Sequence, residues 1–371
     1  MTQPHGLSTR RNSDSAPAFR SFAAGEAPIL TGIGEQALIL RQGESLVADL
    51  PYARRGADAI WLGEGLTGDG CDPVDVVAAA CEALFGANPG IGSVQLEVPA
   101  DAPLGKRLVA SGLALNQAGG LVVQADLLWQ QPQLWLARHE QAAYPQRLVL
   151  DKGVRRPLRA PKPKGLVYAR FIPWLDKTIS FHIASPEAHL EPFNRWMNDP
   201  RVAEIWEEAG DIAKHRAYLK ERLADPHALP LIGCFDEAPF GYFEVYWAKE
   251  NRLGPYYEAQ DYDRGWHVLV GEDAFRGKAW LTAWLPSLMH FIFLDDARTQ
   301  RIVGEPKASH AQQIRNLDRS GFAKIKHVDF PHKRALLVML LRERFFGDRL
   351  WQPAQDAEAP AAAPVLKVVS A

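Results

Sequence analysis

Through the second half of the chain, short runs of apolar and β-branched residues alternate with stretches whose apolar positions recur every three or four residues. The first kind of run predicts strands over 166–171 and 178–183. A helix over 185–198 follows, because Ser185 offers a side-chain oxygen to the free amides at its start and Pro186 pre-sets the first helical φ. Residues 212–223 have the spacing of a second amphipathic helix. Runs 229–235 and 240–248, parted by Asp236-Glu237-Ala238-Pro239, are apolar or aromatic on both faces and predict a buried hairpin. Then come a strand over 265–270, an apolar helix over 280–294, a strand over 300–304, a helix over 308–320 ending at Gly321, and strands over 322–330 and 335–341. That order predicts an α/β (α+β) domain built on a mixed sheet.

The first half carries a shorter version of the same order: strand 93–98, helix 104–113 and strand 120–125. The parallel predicts a smaller N-terminal α/β domain that is a degenerate copy of the C-terminal one. Proline, alanine and basic residues break the pattern in three places. They predict a disordered tail over 1–24, a linker over 151–165 and a second disordered tail over 351–371. Two domains, 25–150 and 166–350, lie between, as a chain of 371 residues leads one to expect.

Composition narrows the function classes. Hydrophobic residues make up 47%, charged residues 23%, and the net charge is -2. Those values fit a globular protein and lack the basic excess of a nucleic-acid or anionic-membrane binder. No apolar run has the length of a membrane span and the N-terminus lacks the apolar stretch of a secretory signal, so a cytoplasmic protein is expected. Cys71, Cys81 and Cys234 are widely spaced, and no Cys/His cluster has zinc spacing, so no metal is expected. Homo-oligomerisation is left open.

The segment Trp266 to Trp280 (WHVLVGEDAFRGKAW) carries the chemistry. A strand, a glycine-bearing loop and an apolar helix succeed one another, which is a layout that aims backbone N–H groups and a helix N-terminus at an anion. Arg276 and Lys278 add full positive charges. The loop is not that of an ATPase: five residues separate Gly271 from Gly277, and Ala279 supplies no hydroxyl for magnesium.

Residues Phe275-Arg276-Gly277-Lys278-Ala279-Trp280 resemble the pyrophosphate loop of the GNAT acetyltransferases. The upstream Gln or Arg of that pattern is replaced by Asp273 or Ala274 here, and its later glycine is missing. Further motifs agree in order and spacing: Asn198 to Val202 (NDPRV) with Trp206, Gly241 to Trp247 (GYFEVYW), His267, and Arg301 to Pro306 (RIVGEP). Together they are similar to the siderophore-biosynthesis branch of the superfamily, the N-hydroxyornithine and N-hydroxylysine acetyltransferases of aerobactin and pyoverdine type. The resemblance covers about residues 175–345.

It implies a GNAT fold whose central sheet splays apart, with acetyl-CoA as co-substrate and an N-hydroxy diamino acid as acceptor. It places the family's catalytic histidine and acidic residue at His267 and Glu305, with His267 as the base that collects a proton. Coenzyme A contacts are expected from Leu269, Val270, Phe275, Arg276, Gly277, Lys278, Ala279, Trp280 and Asn316, and the main chain near Leu269 is expected to hold the oxyanion. Trp206, Glu244 and Tyr246 are expected to line the acceptor site, with a substrate amine as the partner of a buried Glu244. Two other readings stay open: a GNAT enzyme for another amine, such as an aminoglycoside or polyamine, and a non-catalytic acyl-CoA-binding module. These residues decide neither hydroxyornithine against hydroxylysine nor acetyl against a longer donor.

Overall fold

The computed structural model describes residues 18–353, apart from 57–58, 64, 68–69, 139–142 and 152. Of the expected tails over 1–24 and 351–371, residues 1–17 and 354–371 therefore lie outside the described residues. The N-terminal half runs β1 (Phe19–Ser21), β2 (Ile29–Ile33), β3 (Ala37–Gln42), β4 (Ser45–Arg55), β5 (Ala59–Leu62), β6 (Leu66–Thr67), α1 (Pro73–Ala87), β7 (Ser93–Leu96), α2 (Pro103–Ala110), β8 (Leu115–Gln117), β9 (Gly120–Gln124) and α3 (Ala125–Leu128). A hairpin of β10 (Leu148–Asp151) and β11 (Val154–Pro157) follows. The C-terminal half begins with β12 (Leu166–Ile172), β13 (Lys177–Ile183), α4 (Pro186–Met197), α5 (Pro200–Trp206), α6 (Ile212–Ala224), β14 (Ala228–Phe235) and β15 (Ala238–Trp247). It continues with β16 (Arg264–Val270), α7 (Lys278–Asp295), β17 (Arg301–Gly304), α8 (Ala311–Arg319), β18 (Ala323–Asp329), β19 (Arg334–Leu341) and α9 (Arg342–Gly347).

Local chemistry explains the expected elements that form. Ser185 caps α4 by accepting from the amides of Glu187 and Ala188, and Asn198 ends it. Asp236 and Glu237 both take positive φ, 44° and 69°, which gives the β14–β15 turn the twist that matches its strands.

The two sheets have the same strand order. In the C-terminal half it is β12-β13-β14-β15-β16-β17-β19-β18, and in the N-terminal half β1-β2-β3-β4-β5-β7-β9-β8. In both, one pair is parallel, joined through a helix, and every other pair along that path is antiparallel. The N-terminal half is thus a second GNAT-like sheet, of which the sequence pattern revealed β7 and β9 but not β1 to β6 or β8. It departs from its counterpart in two ways. Where α4 to α6 intervene between β13 and β14, only Gly34 to Gln36 separate β2 from β3. Its parallel pair is also zipped along the full length of β5, from Ala59 opposite Ser93 to Leu62 opposite Leu96. In the C-terminal half the parallel pair holds only two rungs, Arg264 with Ile302 and Gly265 with Val303, and then β16 continues alone on that side to Val270.

Three expected boundaries need correction. Residues Phe19–Ser21 are not tail: they pair with β2 in register, because Phe19 buries its ring edge-on against Phe171 at 5.1 Å. Trp351 is likewise buried, 5.0 Å from the ring of Trp129, which in turn stacks on Trp135 at 4.6 Å. The stretch over 151–165 is pinned rather than free. Arg159 forms a bidentate pair with Glu250 at 2.8–3.0 Å and lies 4.0 Å over the Trp247 ring, while Lys162 donates to the last carbonyls of α6, those of Arg222 and Leu223. Basic residues that look unpartnered in sequence find carboxylates and helix-end carbonyls that only folding supplies.

Both members of the Arg159–Glu250 pair are fully sheltered, with side chains 2% and 0% exposed. Arg159→Ala would strand a buried carboxylate, and the expected loss is roughly 3–5 kcal/mol of stability, read as a lowered denaturant midpoint.

Candidate active site

Where β16 and β17 part, three side chains from neighbouring strands meet. Glu244 on β15 is the cross-strand partner of His267 on β16, and Glu305 follows the end of β17. The two ring nitrogens of His267 each face a carboxylate: Nδ1 lies 3.2 Å from Glu244 Oε2 and Nε2 lies 3.3 Å from Glu305 Oε1. Alternation along the strands puts Tyr242, Glu244 and Tyr246 on one face with His267, and Phe243, Val245, Trp266 and Val270 on the other.

The carboxylates are supplied with donors. Tyr218 and Tyr242 donate to Glu244 Oε1 at 2.6 and 2.9 Å, and Tyr246 donates to Glu305 Oε2 at 3.0 Å. Burial by itself would raise the pKa of Glu244, yet His267 and the two phenols hold it below the usual carboxylate range. Glu305 is 5% exposed, and its pKa is lowered to about 2: burial opposes this, but His267, Lys333 and Arg252 prevail. For His267 burial works against charge, and the hydrogen bonds and charges of both glutamates raise its pKa to about 9. At neutral pH it is therefore an imidazolium that donates from both nitrogens. This corrects two expectations. The resting ring has no lone pair with which to collect a proton, and the partners of Glu244 are His267, Tyr218 and Tyr242 rather than a substrate amine.

The ring of Tyr246 reaches Glu305 by crossing over Gly265. A Cβ on Gly265 would overlap its Cε2, Cζ and hydroxyl. Trp206 closes the other side, its ring 6.3 Å from that of His267.

Across the sheet lies a cavity of about 440 Å³ between β16, the loop before α7, and α8. Its walls include Val270, Phe275, Arg276, Gly277, Lys278 and Asn316 of the expected coenzyme A residues. Leu269, Ala279 and Trp280 are not among its walls. The side chain of Leu269 packs with Trp196, Met197 and Tyr242 on the opposite face, Ala279 points outward on the first turn, and Trp280 packs on Phe235 and Phe275. Only their main chains remain to serve a ligand. The sequence reading missed Leu281, Trp284, Gln312 and Arg319, which also line the space. Gln312, Asn316 and Arg319 share one face of α8 at i, i+4 and i+7, a spacing that was there to be read.

The α7 N-terminus suits an anion. Gly277 caps it with φ 100° and ψ 176°, no side chain occupies the free amides, and the first turn holds no acid. Arg276 serves the loop as well as any ligand, since it donates to the Val270 carbonyl at 2.6 Å and pairs with Asp273 at 3.3 Å. The loop is braced from outside: Glu272 binds Arg195 and accepts from Trp196 Nε1 at 2.8 Å, and Gly271 leaves room for the Trp196 ring. The equivalent helix of the N-terminal half is closed to anions. Asp72 caps α1 by accepting from Val74 N at 2.8 Å, and Asp75 sits in the first turn. Val270 stands three residues along β16 from His267, roughly 10 Å at the rise of a strand.

A family profile for the acetyltransferase (GNAT) domain matches residues 185–330. Among curated proteins, the chain is 39% identical over 290 residues to the N(6)-hydroxylysine O-acetyltransferase of Escherichia coli, covering 78% of this chain and 88% of that one. The chain belongs to the GNAT acetyltransferase family and is an acyl-CoA-dependent acyltransferase. It is also 49% identical over 188 residues to the N(5)-hydroxyornithine:cis-anhydromevalonyl coenzyme A-N(5)-transacylase SIDF of Beauveria bassiana, and 45% identical over 196 residues to the hydroxyornithine transacylase SID3 of Ajellomyces capsulatus. The matched parts cover 50% and 52% of this chain but only 41% and 45% of those longer fungal proteins.

Two substitutions probe the two ends of the site. Gly277→Ala would force a side chain into a backbone region held almost only by glycine, at a cost of about 1–3 kcal/mol, and a raised KM for acetyl-CoA is expected in steady-state assays. Gly265→Ala should displace Tyr246 from Glu305 and lower kcat, with coenzyme A binding by calorimetry retained.

Proposed function

We propose that the chain moves an acyl group, acetyl by default, from acyl-CoA to the hydroxylamine nitrogen of an N-hydroxylated diamino acid, making a hydroxamate for siderophore assembly. The observation that carries this reading is the Glu244–His267–Glu305 array at the point where β16 and β17 separate, with the α7 terminus, free of any side-chain cap, beyond the end of β16. The names of the bacterial and fungal relatives support the acceptor class. The bacterial name puts the acyl group on oxygen and the SIDF name puts it on N5, which makes the site of acylation a matter for experiment.

In this reading the diphosphate of coenzyme A lies at the amides of residues 277–280, with Lys278 beside it, and the pantetheine arm runs between Val270 and Asn316. The thioester sits in the opening between the strands and the acceptor comes from the face of Trp206 and Tyr246. A hydroxylamine is neutral at pH 7, so its nitrogen attacks directly. The N–C bond forms, the C–S bond breaks, and the electron pair leaves with the thiolate. The nitrogen sheds a proton once it carries the acyl group. Because His267 already holds two protons, the free lone pair that receives this one belongs to Glu305, and His267 keeps that carboxylate ionised and aimed. The main chain of β16 beyond Gly265, left without a partner on the β17 side, can hold the oxyanion. Fixing both substrates in one opening supplies much of the rate.

Incubation with acetyl-CoA and N5-hydroxyornithine or N6-hydroxylysine, followed by iron(III), tests the proposal. Thiol release with the colour of a ferric hydroxamate is expected. Thiol release without colour would point to oxygen as the acceptor atom, and no release with either compound would refute the acceptor class. Glu305→Gln should lower kcat by about 10²–10⁴-fold while leaving the KM for acetyl-CoA near its original value. The wild-type kcat/KM should fall as pH rises through about 9, where His267 loses its second proton. A rate that climbs through that pH would return the role of base to His267.

A further inference from the structure

Glu305 is overmatched in charge. Its Oε1 faces His267 at 3.3 Å and the Arg252 guanidinium at 3.3 Å, while Lys333 donates to its backbone carbonyl at 2.9 Å and stands 3.9 Å from the same carboxylate oxygen. Lys307 adds a fourth positive charge close enough to act on Lys333. Among the described residues, Glu305 and, on the far side of His267, Glu244 stand against these. The cations come from three separate segments: Arg252 from the loop between β15 and β16, Lys307 from the segment after β17, and Lys333 from the turn between β18 and β19. No local sequence constraint obliges them to converge. Their mutual repulsion is unfavourable, and burial together with Arg252 and Lys307 lowers the pKa of Lys333, with Glu305 opposing.

Arg252 also has capacity to spare. Its side chain is 49% exposed, and among the described residues its one hydrogen-bond partner is Glu305, through a single nitrogen at 3.3 Å. A guanidinium has five donors arranged to grip a carboxylate in two-pronged fashion. The loop that carries it is held still: Glu250 is locked to Arg159, Asn251 caps Leu253 N at 3.2 Å, and Leu253 is buried. The group is therefore presented from a fixed base, at the rim of the opening where the acceptor nitrogen must stand.

We propose that Arg252, supported by Lys333, binds the carboxylate of the acceptor and so selects an amino acid over the corresponding amine. The chain of a hydroxylated diamino acid separates its carboxylate from the reacting nitrogen by a few carbon–carbon bonds. Arg252 and Lys333 lie one side-chain contact beyond Glu305, on the path such a molecule would follow. Binding neutralises the surplus positive charge, so the enzyme is complete only with its substrate. This inference rests on the function proposed above and adds the group that recognises the far end of the acceptor.

The test compares N6-hydroxylysine with N-hydroxycadaverine, and N5-hydroxyornithine with N-hydroxyputrescine, in wild type, Arg252→Gln and Arg252→Lys, all with acetyl-CoA. In wild type the amino acid should be preferred in kcat/KM. Arg252→Gln should shrink that preference roughly 10–100-fold, the worth of a charge-assisted hydrogen bond, mostly through KM of the amino acid, and Arg252→Lys should restore part of it. If wild type turns over acid and amine equally, the function stands and the carboxylate assignment falls. Equal losses on both acceptors in Arg252→Gln would overturn it too, since Arg252 would then act only by holding Glu305. Turnover of neither acceptor by wild type would remove the function and this assignment with it.

Discussion

Everything in this molecule turns on a parallel strand pair that stays together for only two rungs. Between Arg264 and Gly265 on one side and Ile302 and Val303 on the other, β16 and β17 are joined; past that point they diverge. A continuous sheet would satisfy more backbone groups internally and leave no passage between its faces. In the proposed reading the gap admits a thioester; it leaves β16 without a strand partner on that side beyond Gly265, and His267 on β16 and Glu305 just past β17 stand 3.3 Å apart.

The N-terminal half shows what the same topology becomes when that gap closes. Its parallel pair is zipped for all four residues of β5, its helix terminus is stoppered by Asp72, and the three helices that would build an acceptor side are replaced by a tight turn. Identical strand order thus accompanies a site in one half and none of its parts in the other, as expected if function resides in residues grafted on a fold. What the N-terminal half does contribute is buried surface: Trp129 and Trp135 stack at 4.6 Å, Trp135 donates to Glu82 at 3.1 Å, and Arg170 from the other half lies 4.3 Å over Trp129. The main chain of Trp135 and Leu136 also pairs with β12, covering an edge of the catalytic sheet.

The charge array is the second constraint. The two carboxylates that flank the imidazolium are satisfied by phenols from α6 and β15, and Glu305 also by Arg252 and Lys333 from two loops. Tyr246 stood out in the sequence, but Tyr218 and Tyr242 did not. Nothing in their spacing showed that Tyr218 on α6 and Tyr242 on β15 would aim both hydroxyls at one oxygen of Glu244. Arg252 and Lys333 were equally silent, since a basic residue in a loop is commonly solvated.

Periodicity, capping residues and turn residues are local, so the strands, the longer helices and the β14–β15 hairpin of the C-terminal half were legible from sequence, as was the mixed sheet, while the short α5 and α9 were not. The glycine loop was legible for the same reason: strand, loop and helix are consecutive, and the anion-binding terminus needs no distant residue. The echo between the halves could be seen in outline through 93–98, 104–113 and 120–125. The tertiary structure alone decided which strands are neighbours, where the parallel pair opens, and that residues Phe19–Ser21, Arg159 and Trp351 belong to the folded body. It also decided the protonation of His267, because a pKa depends on which charges lie within a few ångströms, and those charges stand 23 and 38 residues away along the chain. Local order is written in neighbouring residues; the chemistry of the site is written in distances that exist only after folding.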